Sequence, residues 1–232
     1  MPGMSLVDVH RSFMNWRQNL IRPAVPLGSF PMKSVQQQSL VAALTAIFAL
    51  AGSSFGQAAE AVDLKIGDQA PKFSAEDDTG KVLSSDQVVG KGIVVVYFYP
   101  ADMTGGCTKQ ACGFRDDMKS LKEQGVTVIG VSGDSVRNHQ LFKEEYDLTF
   151  PLLADVDGKV ADAFGVPYTK GEKVVEKEVN GKPEKFVRQV TTKRWTFVID
   201  QTGKIVAKNT EVAAAEDSKA IQKIVEKLNQ VK

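Results

Sequence analysis

The sequence predicts an α/β fold, a central mixed β-sheet flanked by helices, and three observations carry that reading. Val94–Tyr99 and Val126–Val131 are unbroken β-branched and aromatic runs, the pattern of strands covered on both faces. Segments with apolar residues at helical spacing follow them: Phe114, Met118 and Leu121 in one, Ile221, Ile224 and Leu228 in another. Arg194–Asp200 and Lys204–Ala207 flank the turn Gln201-Thr202-Gly203, so at least one pair of strands is antiparallel. A hydrophobic content of 43% with 25% charged residues suits a chain that buries an ordinary core.

Taken in order, Leu64–Phe73 leads into a short hairpin whose turn is Asp78-Thr79-Gly80, at the edge of the domain. Ser84-Ser85-Asp86 is a helix start and Gly90-Lys91-Gly92 ends that turn. Strand 93–99 comes next, then a helix opening near Cys107 and reaching about Gln124. After strand 126–131, a serine or aspartate of Ser132-Gly133-Asp134-Ser135 caps helix 136–146. Phe150–Leu153 is a short strand, and Val160–Phe164 a short helix ended by Gly165. In the charged segment Thr169–Thr192, Asn180-Gly181 between Val174-Val175 and Phe186-Val187 predicts a protruding hairpin. A last amphipathic helix covers about Ala214 to Leu228.

Residues 1–61 read as a leader rather than as part of this fold. From Met32 a basic start is followed by an apolar run, Leu40–Ala51, and by small residues ending near Ala59-Glu60-Ala61, the three regions of a secretory signal peptide. The run is too short to span a bilayer. Arg11, Arg17 and Arg22 upstream fit the front of a bipartite organelle address; alternatively translation starts at Met32. Either way the domain 62–232 is expected outside the cytosol, in a periplasm or in an organelle lumen. That domain carries 25 basic against 26 acidic side chains. With no basic block, nothing points to nucleic acid. Only His10 and His139 and two cysteines are present, so no metal quartet is expected. His139, in a polar helical segment, reads as solvated.

Both cysteines fall in Phe98-Tyr-Pro-Ala-Asp-Met-Thr-Gly-Gly-Cys-Thr-Lys-Gln-Ala-Cys-Gly-Phe-Arg-Asp116. A helix N-terminus leaves backbone N–H groups unpaired and carries partial positive charge. A cysteine in its first turn is therefore placed to act as a thiolate nucleophile. The bland alternative is a pair of buried structural cysteines at a strand–helix junction. The spacing of Pro100, Thr104 and Cys107 resembles the active-site signature of peroxiredoxins, and the wider run is similar to their peroxiredoxin Q branch, also called bacterioferritin comigratory protein. The resemblance covers about residues 63–230 and implies a thioredoxin-like fold.

The same resemblance implies the roles. The Thr104 hydroxyl orients the peroxide O–O bond, Pro100 fixes the turn and shields the sulfur, and N–H groups of Gly105-Gly106 hold developing charge. Arg194, which opens a run like the family's Arg-x-Thr/Ser-Phe-hydrophobic-Ile-Asp strand, holds the thiolate. Arg115 reads instead as a structural ion pair. Cys112 is the candidate resolving cysteine, but on an α-helix five residues separate it from Cys107 by about 500° and about 7.5 Å of rise, too far for a disulfide. The first turns must then unwind. Gly105 stands where the family usually has proline, which loosens the loop. The expected activity is thiol peroxidase, with hydroperoxide as substrate, a thioredoxin-like reductant as partner, no cofactor or metal, and a monomer or weak dimer. The alternatives are a thiol–disulfide oxidoreductase and a non-catalytic thioredoxin-like binding module.

Overall fold

A computed structural model describes residues 62–230; the leader proposed for residues 1–61 lies outside them. The domain opens with the edge hairpin β1 (Ser74–Asp77) and β2 (Val82–Ser84), whose turn is held by the Asp77 carboxylate accepting from the Thr79 N–H and hydroxyl and the Lys81 N–H. The one-turn helix α1 (Ser85–Val88) leads to β3 (Ile93–Phe98), α2 (Gly105–Glu123), β4 (Val126–Ser132) and α3 (Val136–Tyr146). Ser135 caps α3, accepting from the Asn138 N–H at 3.2 Å. Then come β5 (Leu152–Ala154), α4 (Lys159–Phe164), the long pair β6 (Tyr168–Val179) and β7 (Lys182–Thr192), β8 (Trp195–Ile199), β9 (Ile205–Asn209) and α5 (Asp217–Gln230).

Seven strands form one mixed sheet in the order β2-β1-β5-β4-β3-β8-β9, with β3, β4 and β5 parallel and the others antiparallel to their neighbours. The unbroken apolar run of β3 is explained by its place. Ile93, Val95 and Tyr97 point into a core layer built with α2, α3 and α5, while Val94, Val96 and Phe98 point into the opposite layer with α4. Phe114, Met118 and Leu121 are buried as their spacing predicts. On α5 the buried apolar residues are Ile221 and Val225, with Ile224 and Leu228 half-buried beside them. The helix is turned slightly from the face the sequence suggests.

The β6–β7 hairpin does not protrude. Asn180 (φ 49°) and Gly181 (φ 75°) make the left-handed turn that Asn-Gly favours. The arm then lies down along the domain, with Val179 and Phe186 buried in the same core layer as α2 and α3, and Val190 buried close against Gly133. Its tip is tied to α3, the Asn180 N–H donating to Glu145 at 2.7 Å and its side-chain amide to Glu144 at 2.8 Å. Burying one apolar face of the arm outweighs the charge along its other face, since each large side chain removed from water contributes about 1.5–3 kcal/mol.

Candidate active site

The sequence between β3 and α2 folds as a tight loop, Tyr99–Thr104, that delivers the chain to the helix N-terminus. Pro100 and Thr104 are half-buried, Gly105 and Gly106 exposed, and Cys107 is 1% exposed, so the sulfur lies just beneath the first turn. Thr104 occupies the N-cap position with an extended backbone, φ −101° and ψ 142°, yet its hydroxyl does not cap the helix. It donates instead to the Ala101 carbonyl at 3.0 Å, which fixes the rotamer and leaves the oxygen lone pairs to accept from another donor. No acidic residue stands in the first turn of α2. The helix N-terminus is thus left to a negative charge from elsewhere, and Cys107 is the group placed to supply it.

Arg194 is brought from the start of β8 to this point. Its Nη2 donates to Cys107 Sγ at 3.2 Å, and its Nη1 donates to the Gln110 side-chain carbonyl. A Cβ on Gly106 would stand 3.4 Å from the same Nη2, so the missing side chain keeps the arginine uncovered. Behind it, Gln110 Nε2 donates to Asp217 Oδ2 at 2.7 Å, and Thr196 Oγ1 donates to that oxygen at 2.8 Å. Burial raises the pKa of Asp217, against the bonds from Gln110 and Thr196 and the Arg194 charge, which lower it.

The loop before the cysteine is held from beneath. Met103 adopts φ 57°, uncommon for a residue with a side chain. Its neighbour Asp102 is 1% exposed and accepts from Tyr99 Oη at 2.7 Å and from His139 Nδ1 at 2.8 Å, while its own N–H donates to Asp134 at 2.9 Å. Ser132 and Asn138 donate to Asp134 in turn. His139 is therefore not solvated but fully buried and paired. Burial draws its pKa down; the charge and hydrogen bond of Asp102 and the charge of Asp134 outweigh that, and the net shift is upward. Asp134 and His139 stand 32 and 37 residues from Asp102 in the chain, and only the fold makes them its neighbours.

Cys112 is not brought to Cys107. Both thiols are free, α2 is intact between them, and Cys112 is half-buried further along the helix. Burial pushes the Cys112 thiol up, against a smaller downward pull from Arg115. Arg115 is the ion pair expected of it, 2.8 Å from Asp116, and also donates to the Tyr146 carbonyl at the end of α3 at 2.7 Å.

A family model described as the AhpC/TSA family matches residues 66–208. The chain belongs to the AhpC/TSA family. Its branch is that of peroxiredoxin Q and the bacterioferritin comigratory proteins. The Coxiella burnetii peroxiredoxin bcp is 44% identical over 146 residues, which cover 63% of this chain and 88% of that protein. The chloroplastic peroxiredoxin Q of Oryza sativa subsp. japonica is 50% identical over 101 residues, 44% of this chain and 46% of the rice protein, so the match spans about half the plant relative. Among solved structures, peroxidoxin BcpB from Mycobacterium tuberculosis superposes with a TM-score of 0.58 at 33% identity, over 73% of this chain and 99% of that one. The mixed sheet with its flanking helices is the thioredoxin-like fold of the peroxiredoxins.

Within this peroxiredoxin, Cys107 and Arg194 meet as the resemblance implied, and Thr104 sits one turn before the sulfur. Pro100 lies half-buried in the loop that follows β3. Gln110, Asp217 and Thr196 escaped the sequence reading. Gln110 carried a signal, since it lies three residues after Cys107 and so on the same helix face. Thr196 carried one too, as the Thr/Ser position of the strand motif that Arg194 opens; Asp217 carried none. Among the described residues no group of three or more His, Cys, Asp or Glu side chains could hold a metal ion, and no helix is long and apolar enough to cross a membrane.

Proposed function

We propose that this protein reduces hydrogen peroxide and organic hydroperoxides through Cys107, with Cys112 as the resolving cysteine and a thioredoxin-like protein as reductant. A thiol-dependent peroxidase, an oxidoreductase, is what its family membership makes it. The observation that carries the residue assignment is the Arg194 guanidinium 3.2 Å from a buried Cys107 Sγ at an uncapped helix N-terminus. There the thiolate attacks the peroxide; an S–O bond forms as the O–O bond breaks, and the leaving oxygen takes a proton to depart as water or an alcohol. Arg194 can donate to that oxygen while it holds the sulfur, and Thr104 is placed to orient the substrate.

The product is a sulfenic acid. Its resolution needs α2 to unwind between residues 105 and 112, after which the Cys112 sulfur attacks Cys107 Sγ and hydroxide leaves as water. Unwinding also removes the burial that raises the Cys112 pKa, so opening activates the second thiol as well as delivering it. An external dithiol then reduces the disulfide by exchange. The leader pattern from Met32 to Ala61 supports a site of action outside the cytosol. Neither other reading accounts for the site: the two cysteines stand five apart rather than in the Cys-x-x-Cys of a disulfide oxidoreductase, and a binding module has no use for Arg194 on Cys107.

Peroxide consumption by the purified chain with a dithiol, beside Cys107→Ser and Cys112→Ser, tests the assignment. The first variant should lose turnover. The second should reduce one equivalent of peroxide and then stall with a thioredoxin-type reductant. Turnover that survives Cys107→Ser would overturn it.

A further inference from the structure

Asp217, the first residue of α5, is 2% exposed and is used by no step above. One of its oxygens, Oδ2, receives both Gln110 Nε2 and Thr196 Oγ1; the other, Oδ1, is buried with no partner among the described residues. An amide can face either way, and a carboxylate accepts only. Asp217 therefore turns the Gln110 amino group toward itself and the Gln110 carbonyl toward Arg194, whose Nη1 it receives. The chain of donors runs in one direction, from Arg194 to Gln110 to Asp217, and leaves Nη2 for the sulfur. Gln110 also lies between the two cysteines, so any unwinding that joins them pulls it from Asp217. Close by, α2 and α5 are pressed together: a Cβ on Gly113 would stand 3.0 Å from Ser218 Oγ.

We propose that Asp217 is a positioning residue for Arg194 and a latch that keeps the first turns of α2 wound until resolution. The inference rests on Cys107 as the attacking cysteine and Cys112 as the resolving one. Because the Gln110–Asp217 bond exists only in the wound state, weakening it shifts the helix toward the unwound one. The two half-reactions then move oppositely. Peroxide attack slows, because Arg194 is no longer aimed. Disulfide formation quickens, because the helix opens more often, and less sulfenic acid survives to meet a second peroxide and become sulfinic acid. The loss of one hydrogen bond to a charged acceptor is worth about tenfold in such an equilibrium.

The test uses the full chain, mixed rapidly with hydrogen peroxide and quenched with a thiol alkylating agent, so that thiol, disulfide and sulfinic acid are counted over time. In Asp217→Leu the attack rate should fall and the disulfide rate should rise, each by about tenfold, with sulfinic acid reduced. Asp217→Asn, which keeps an acceptor oxygen, should restore most of both. Thr196→Val, which preserves side-chain volume, should shift the two rates in the same directions by less and covers the case in which the leucine variant does not fold. Equal rates in all four proteins, or a parallel fall in both rates, overturn the latch while leaving the cysteine roles intact. If the unsubstituted chain forms no Cys107–Cys112 disulfide, the underlying assignment fails instead.

Discussion

The proposed unwinding of α2 makes a direct prediction at Gly105, the position where proline is usual in this branch. Gly105 is the first helical residue, so its N–H is one of the helix's unpaired donors and a proline forfeits no helical bond. The residue before it, Thr104, already has φ −101° and ψ 142°, the extended region that a following proline requires. A side chain there meets nothing within 4 Å. Gly105→Pro should therefore fit the wound helix without strain and act mainly on the unwound state, whose flexible Gly-Gly segment it stiffens. Such substitutions stabilise by about 0.4–1 kcal/mol, more from glycine than from other residues. At about 1 kcal/mol the unwound fraction falls about fivefold. Disulfide formation after a single addition of peroxide should slow by that factor, while peroxide attack stays within about twofold and sulfinic acid accumulates at high peroxide. Rapid-quench alkylation measures all three. An unchanged disulfide rate would refute the idea that opening begins at the first turn. A collapse of the attack rate would show instead that the Gly105 N–H helps hold the anion.

Two further outcomes follow from the same geometry. Arg194→Lys keeps a charge but cannot reach sulfur and Gln110 together, and it loses a charge-assisted bond worth about 1.5–3 kcal/mol; the second-order rate with peroxide should fall about 10- to 100-fold, read as loss of thiol in single turnover. His139 has a raised folded-state pKa, so the stability its protonated form contributes is fully present below its ordinary value of 6.5 and is lost as pH rises through the raised one. The stability gap between the unsubstituted chain and His139→Gln, measured by urea unfolding, should be widest below about pH 6.5 and narrow on the alkaline side; a gap that widens with rising pH is the contrary result.

How far the sequence can be read depends on how locally each feature is specified. The strands at 93–99 and 126–131 and the helix at 136–146 were legible because burial on both faces, or on one helical face, writes itself into a short run of residues. The hairpin turn was legible too, since Asn180-Gly181 fixes it locally, but its path was not. That path is set by Val179, Phe186 and Val190, a sparse apolar face inside a segment whose charges dominate any reading of composition. His139 was misread for a related reason. Its helix is polar, and the acid that holds it, Asp102, is distant in the chain. Arg194 was found only through the family's strand motif; nothing in its own neighbourhood marks an arginine that will reach a sulfur 87 residues away.

The two buried networks around Cys107 differ in what they must survive. Tyr99, Asp102, Asp134 and His139 hold the loop that precedes the cysteine, and none of them lies on a segment that has to move. Burial of this set is close to complete, and its partners come from β4, α3 and the loop itself. The second network, Arg194–Gln110–Asp217–Thr196, is anchored in β8 and α5 but passes through Gln110, which belongs to the segment proposed to unwind. A catalytic loop needs fixed geometry, and a resolving helix needs an opening free energy small enough to be crossed in each cycle. Placing the strained Met103 in the first network and the exposed Gly105-Gly106 pair at the junction divides the site at that point. On the proposed mechanism the backbone upstream of it stays put, and downstream the first two turns of α2 are given up and regained. Arg115, bound to the Tyr146 carbonyl at the end of α3, ties α2 to α3 beyond Cys112.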